Sequence, residues 1–149
     1  MSPKTWRILV AGVLLFLGYL GAVRAASYHQ LVEGRSYLNQ GRAQEAVQCL
    51  NRAIKLQPHQ PEAFLVRGQA YLELEQPREA AVDLDNAYSL GQRSSSLFFA
   101  RARAREAQGE PEQAASDYRR VVEMEGESAL GTKALGRLEE IEPVSSRDD

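Results

Sequence analysis

The chain has 149 residues, room for one domain of ordinary size, and its 44% hydrophobic and 26% charged content is that of a globular protein rather than a disordered one. The first 26 residues carry three basic side chains and no acid, while the remainder carries 15 basic and 20 acidic ones, a net −5. An acidic domain lacks the basic face that a phosphate backbone requires, which excludes nucleic acid as the main partner.

The first element is apolar. "ILVAGVLLFLGYLGAV", residues 8–23, has no charged side chain, with Lys4 and Arg7 before it and Arg24 after it. As a helix these sixteen residues span roughly 24 Å at about 1.5 Å per residue. With Trp6 and Ala25–Ala26 at the edges, a short membrane span of about 20 residues is feasible. Residues 1–26 therefore read as a signal anchor or as a cleaved signal peptide, with "VRAAS" offering a cut after Ala25. In the anchor reading, Lys4 and Arg7 hold a short N-terminus in the cytoplasm and leave the rest on the exported, periplasmic or lumenal side. In the signal-peptide reading, the remainder is secreted or periplasmic.

From residue 27 onward the chain repeats itself every 34 positions. The units are 27–60, 61–94 and 95–128, in register without a gap. Gly34, Gly68 and Ala102 share one slot, and Tyr37, Tyr71 and Arg105 another. Ala46, Ala80 and Ala114 share a third, Leu50, Leu84 and Tyr118 a fourth, and Ala53, Ala87 and Val121 a fifth. A period of this length means stacked supersecondary units, none of which can bury its apolar face alone. Each unit reads as two helices. In the first, a helix over 28–39 leads to a turn at Gly41, and a second over 43–56 stops before Pro58. Pro77 and Pro111 stand at the start of the second helix in the later units, where a missing N–H costs nothing. Small residues on both helices let them approach closely.

Residues 129–143 complete the stack as a capping helix. Ala129, Leu130, Ala134, Leu135, Leu138 and Ile141 form its apolar stripe, Ser128 is its N-cap and Pro143 its stop. Residues 144–149, "VSSRDD", are a polar tail with no reason to fold.

The period, the Gly/Tyr/Ala/Ala spacing, the turn glycines Gly41 and Gly109, and Pro58 resemble the tetratricopeptide (TPR) repeat family. The resemblance runs from residue 27 to about 143. It departs from the family pattern at Arg105, which replaces an aromatic, at Gly126, where Pro is common, and at Glu33, where Leu is usual. It implies an all-α fold, a TPR α-solenoid of three helix-turn-helix repeats and a capping helix, behind the N-terminal transmembrane or signal helix. It also implies binding, because the first helices of such repeats line a concave groove that holds an extended peptide or a partner helix.

Carried over by alignment, the groove has three rows: Leu31, Leu65 and Phe99; Arg35, Gln69 and Arg103; Leu38, Leu72 and Glu106. This apolar groove with two arginines suits a segment with apolar anchors and a carboxylate between them. A second reading also stands, in which the first row packs against the preceding helix or the chain leading from the membrane, and Arg35 and Arg103 are solvated face residues paired with nearby acids. One TPR subfamily clamps the C-terminal carboxylates of chaperone tails. Its slots here hold Leu31, Arg35, Val66, Ser96 and Ala100, and only Arg35 suits that work.

Catalytic and metal sites are not expected. His29 and His59 stand far apart with no ligand cluster around them, and Cys49 reads as a small buried apolar residue. No Ser/His/Asp set, Gly-rich phosphate loop or placed carboxylate pair occurs, so an enzyme, a cofactor and a small-molecule substrate are excluded. The run "RARAR", 101–105, is not a nucleic-acid patch, because a helix turns Arg103 nearly opposite Arg101 and Arg105. The expected role is a membrane-anchored protein-protein interaction module. The expected partners are proteins, together with the membrane itself.

Overall fold

The computed structural model describes residues 3–142, with side chains from Trp6 onward. The helix stop expected at Pro143 and the tail at 144–149 lie outside the described residues. Seven helices follow one another: α1 Pro3–Asn39, α2 Ala43–Leu56, α3 Pro61–Glu73, α4 Pro77–Ser89, α5 Ser95–Ala107, α6 Pro111–Glu125 and α7 Ala129–Ile141. No strand occurs among the described residues.

Each hairpin, α1–α2, α3–α4 and α5–α6, packs on the next, and α7 docks on α6. The reason for the close pairing is visible at the glycines. A Cβ on Gly34 would stand 2.7 Å from Leu50 Cγ, and one on Gly68 would stand 2.7 Å from Leu84 Cγ. Only a bare backbone admits the leucine, whose side chain is wholly buried in both units. Three core clusters result, each drawing on three consecutive helices, so no hairpin owns its core.

The turns inside the hairpins also repeat. Gly41 and Gly109 take φ of 72° and 77°, the left-handed region where glycine carries no steric penalty. The middle unit places Glu75 in that slot, at φ 57°, the only non-glycine residue with positive φ among the described residues.

Two features differ from the sequence expectation. The helix expected to begin at residue 28 has no start there: α1 runs unbroken through 23–27, so the apolar segment and the first repeat helix are one rod of 37 residues, about 56 Å long. No Pro, Gly or capping side chain interrupts "VRAAS". In the capping helix, Ala129 and Leu135 are exposed, Leu135 at 43%. Helix α7 has a packed neighbour on one side only, so its buried stripe narrows to Gly131, Ala134 and Leu138. Ser128 does cap it, its Oγ accepting from Gly131 N–H at 3.1 Å.

The amino-terminal half of α1 stands apart from everything else. None of its most apolar 18-residue window is buried, and Trp6, Leu14, Leu15, Phe16 and Tyr19 are each more than half exposed. Burial begins at Ser27, whose Oγ lies 3.0 Å from the Ala53 carbonyl oxygen and 2.9 Å from Gln60 Oε1. By length and composition this stretch is able to cross a membrane.

Candidate functional site

The rows assigned to the groove separate in three dimensions. Leu31 and Leu65 are 2% and 6% exposed and belong to the core, which corrects their assignment as partner-contacting residues. Leu31 packs with Ala63, Val66 and Ala70 of α3, and Leu65 with Leu97, Ala100 and Ala104 of α5. The cause is lateral stacking: α1 lies against α3 and α3 against α5, which seals the row between them. Phe99 sits at the same slot in the last repeat and remains half-buried, its ring set edge-on to Tyr118 at 5.6 Å.

In the second row Arg35 is exposed and pairs with Glu62, and Arg103 is exposed with Glu73 at 3.9 Å. Gln69 is half-buried. In the third row Leu38 and Leu72 are half-buried at the edges of two core clusters. Glu106 accepts hydrogen bonds from Tyr118 Oη at 2.9 Å and from the Arg137 guanidinium.

What these residues do form is a cavity of about 770 Å³ toward the carboxyl-terminal end of the stack. Leu72, Phe99 and Pro77 supply its apolar wall, and Arg103, Lys133 and Arg137 its cationic one, with Glu75 and Glu106 between. Arg137 is committed to Glu106 and Glu140. Arg103 has only its long contact to Glu73, and Lys133 makes no ion pair among the described residues. Tyr118 lies at the back, and burial pushes its hydroxyl up to about 12, so it stays a neutral donor to Glu106 at physiological pH. Sequence reasoning missed Lys133, Arg137 and Tyr118. The first two belong to the cap, outside the repeat alignment, and Tyr118 occupies a slot that leucine fills in the other units.

Also missed was a pair of buried ionic links with the repeat period. Arg67 Nε and Nη2 each donate at 2.7 Å to Asp83, and Arg101 donates to Asp117 at 2.8 and 2.7 Å, both bidentate. Each guanidinium also reaches back to the preceding hairpin, Arg67 to Asn51 at 2.6 Å and Arg101 to Asp85 at 3.4 Å. Each arginine thus joins two second helices. Desolvation is the largest single influence and works against their charge, but hydrogen bonding and charge attraction to the aspartates together outweigh it, so both pKa values stand above the ordinary one. The 34-residue spacing of Arg67/Arg101 and Asp83/Asp117 was the available signal. The first unit has Glu33 and Cys49 in these slots. Cys49 is buried, and burial, then the charge of Glu33, raise its thiol pKa. Among the described residues no group of three His, Cys, Asp or Glu is placed to hold a metal ion.

Helix hairpins that repeat every 34 residues and stack side by side define an α-solenoid, a fold that serves as a protein-interaction scaffold. The tetratricopeptide repeat family model matches residues 31–95 and 99–142, and the chain belongs to that family. No curated protein matches it in sequence. Among solved structures it is similar to the first TPR of Spaghetti (RPAP3) bound to an HSP90 peptide, at 27% identity over 79% of this chain and 91% of that one, with a TM-score of 0.72. The first TPR domain of human RPAP3 is 26% identical over 79% and 93%, also at 0.72. The Arabidopsis OM64 TPR domain is 24% identical over 79% and 98%, again at 0.72, and at that identity the likeness concerns the fold.

Proposed function

We propose that this protein is a membrane-anchored TPR adaptor or assembly factor for a membrane or envelope complex, which holds a partner segment in the groove of its last repeat and cap. The observation that carries the reading is α1 itself: an apolar stretch with no buried window continues without a break into the first helix of the solenoid. Exposing so many large apolar side chains to water is unfavourable by roughly 25 cal/mol per Å², and a bilayer removes that cost. The region 23–27, where a signal peptidase would cut, lies within the helix rather than in an exposed loop, which favours a retained anchor over a secreted form.

The partner segment carries an apolar anchor for Phe99 and Leu72 and a carboxylate for Arg103 and Lys133. The solved TPR domain bound to an HSP90 peptide is a precedent for an extended occupant. A chaperone-tail clamp is not the mode here, because its slots are filled by Leu31, Val66 and Ala100, all buried, and by Ser96, with Arg35 tied to Glu62.

The test is affinity capture of the full-length, C-terminally tagged protein from native membranes in mild detergent, beside an Arg103→Glu/Lys133→Glu variant. Both positions are exposed, so the fold tolerates the change. A near-stoichiometric partner lost with the variant supports groove recognition; a partner retained by it refutes that mode. One observation favours a second reading, a permanent structural subunit held through its transmembrane helix. Gly12, Gly18 and Gly21 have nothing within 4 Å of where a Cβ would stand, so another helix has room to approach closely there. Exchanging residues 6–23 for an unrelated apolar span separates the two, since an adaptor tolerates the exchange.

A further inference from the structure

Helix α2 runs antiparallel to α1, and its carboxyl-terminal end meets α1 at the point where the apolar stretch ends. Ser27 touches Ala53. Counting three residues outward along each helix, about 4.5 Å, places Leu56 level with Arg24, the first charge after the apolar run. A cleft of about 520 Å³ opens at this join, lined by Ala26, His29 and Gln30 of α1 and by Arg52, Lys55 and Leu56 of α2.

The chemistry of the cleft is one-sided. Arg52 and Lys55 are exposed and make no ion pair among the described residues. Most other arginines of the repeats are engaged: Arg35, Arg42, Arg67, Arg101, Arg103, Arg105, Arg119 and Arg137 all face carboxylates. Glu33, a turn further from the apolar stretch, is held by His29 at 3.4 Å and by Gln30 Nε2 at 3.1 Å. Gln30 Oε1 is buried and accepts no hydrogen bond from the described residues. Leu56 is 38% exposed beside the cations, an apolar side chain at the level where acyl chains meet headgroups. Lys55 also sits in the last turn of α2, where its charge offsets the negative end of the helix dipole that faces the same way.

Resting on the membrane-anchored reading, we propose that this cleft seats the headgroup of an anionic phospholipid, its phosphate between Arg52 and Lys55, with Leu56 against the acyl region. Because α1 has no hinge between span and solenoid, such a seat fixes how the solenoid leans on the bilayer and hence where the groove faces. Each cation near an anionic surface is worth about fivefold in affinity (about 1 kcal/mol).

The experiment uses the full chain. Flotation with phosphatidylcholine vesicles under alkaline wash reads the anchor. Native mass spectrometry of the detergent-solubilised protein, offered equal phosphatidylglycerol and phosphatidylcholine, reads the seat. The wild type is expected to float and to retain phosphatidylglycerol in preference. Arg52→Glu/Lys55→Glu is expected to float equally well and to lose that preference. A control pair elsewhere on the solenoid, Arg78→Glu/Arg120→Glu, is expected to keep it. Equal retention of both lipids by the wild type, an unchanged preference in the cleft variant, or an equal loss in the control pair refutes the seat while the anchor stands. A chain that does not float refutes the anchor, and the seat with it.

Discussion

Removing one partner of the Arg101–Asp117 link tests what holds neighbouring repeats together. The pair is nearly dry, with side-chain exposures of 7% and 2%. Breaking a buried pair by deleting one partner costs about 3–5 kcal/mol, mostly because the surviving charge is left in a poor solvent. In Asp117→Ala, Arg101 keeps a long contact to Asp85 at 3.4 Å and the faces of Tyr88 and Phe98 at 4.3 and 5.6 Å. Arg105, which also donates to Asp117, is partly exposed and turns to water. The lower end therefore applies, about 3 kcal/mol, which for a domain of this size lowers Tm by roughly 10 °C. Thermal unfolding of the full-length protein in detergent, followed at the helical circular dichroism band, measures it. Replacing both partners by apolar groups, Arg101→Met with Asp117→Leu, removes the stranded charge and is expected to cost less than Asp117→Ala alone. A single variant within about 1 kcal/mol of wild type, or a double variant equal to the sum of its singles, refutes the account of this pair.

Other consequences are simpler. Glu75→Gly relieves a left-handed backbone that costs a non-glycine residue about 1–2 kcal/mol, and is expected to raise Tm by a few degrees after the extra entropy of the unfolded glycine is subtracted. Gly68→Ala pushes a methyl against Leu84 Cγ at 2.7 Å and is expected to destabilise by about 1–2 kcal/mol despite alanine's better helix propensity, as read by chemical denaturation. Gly131→Ala drives a methyl into the Gly126 carbonyl oxygen, a backbone atom that cannot rotate away, so α7 is expected to lose protection from hydrogen exchange while α1–α4 keep theirs. Cys49, buried and with its pKa raised, is expected to react with a thiol reagent at neutral pH far more slowly in the folded than in the unfolded chain; equal rates refute its burial.

Much of this protein is written into the periodicity of its residues. A 34-residue repeat, small residues at fixed slots, turn glycines and helix-starting prolines dictate helix hairpins, because each acts within a few residues of itself. The ends of α2 and the caps at Pro77, Pro111 and Ser128 are local chemistry of this kind. An apolar run without charge is equally legible, as a helix long and apolar enough to cross a membrane. Tertiary structure alone decided which face of each first helix is open. Leu31 and Leu65 have the same helical position as Phe99, yet the next hairpin covers them and leaves Phe99 half free, and no local signal distinguishes a side chain with a neighbour from one at the end of the stack. The same holds for Arg67 and Arg101: a guanidinium sixteen residues from two different partners is a surface charge in sequence and a buried link between hairpins in space. A contact between hairpins lies beyond the few residues over which local chemistry acts, and only the folded stack shows which side chains meet.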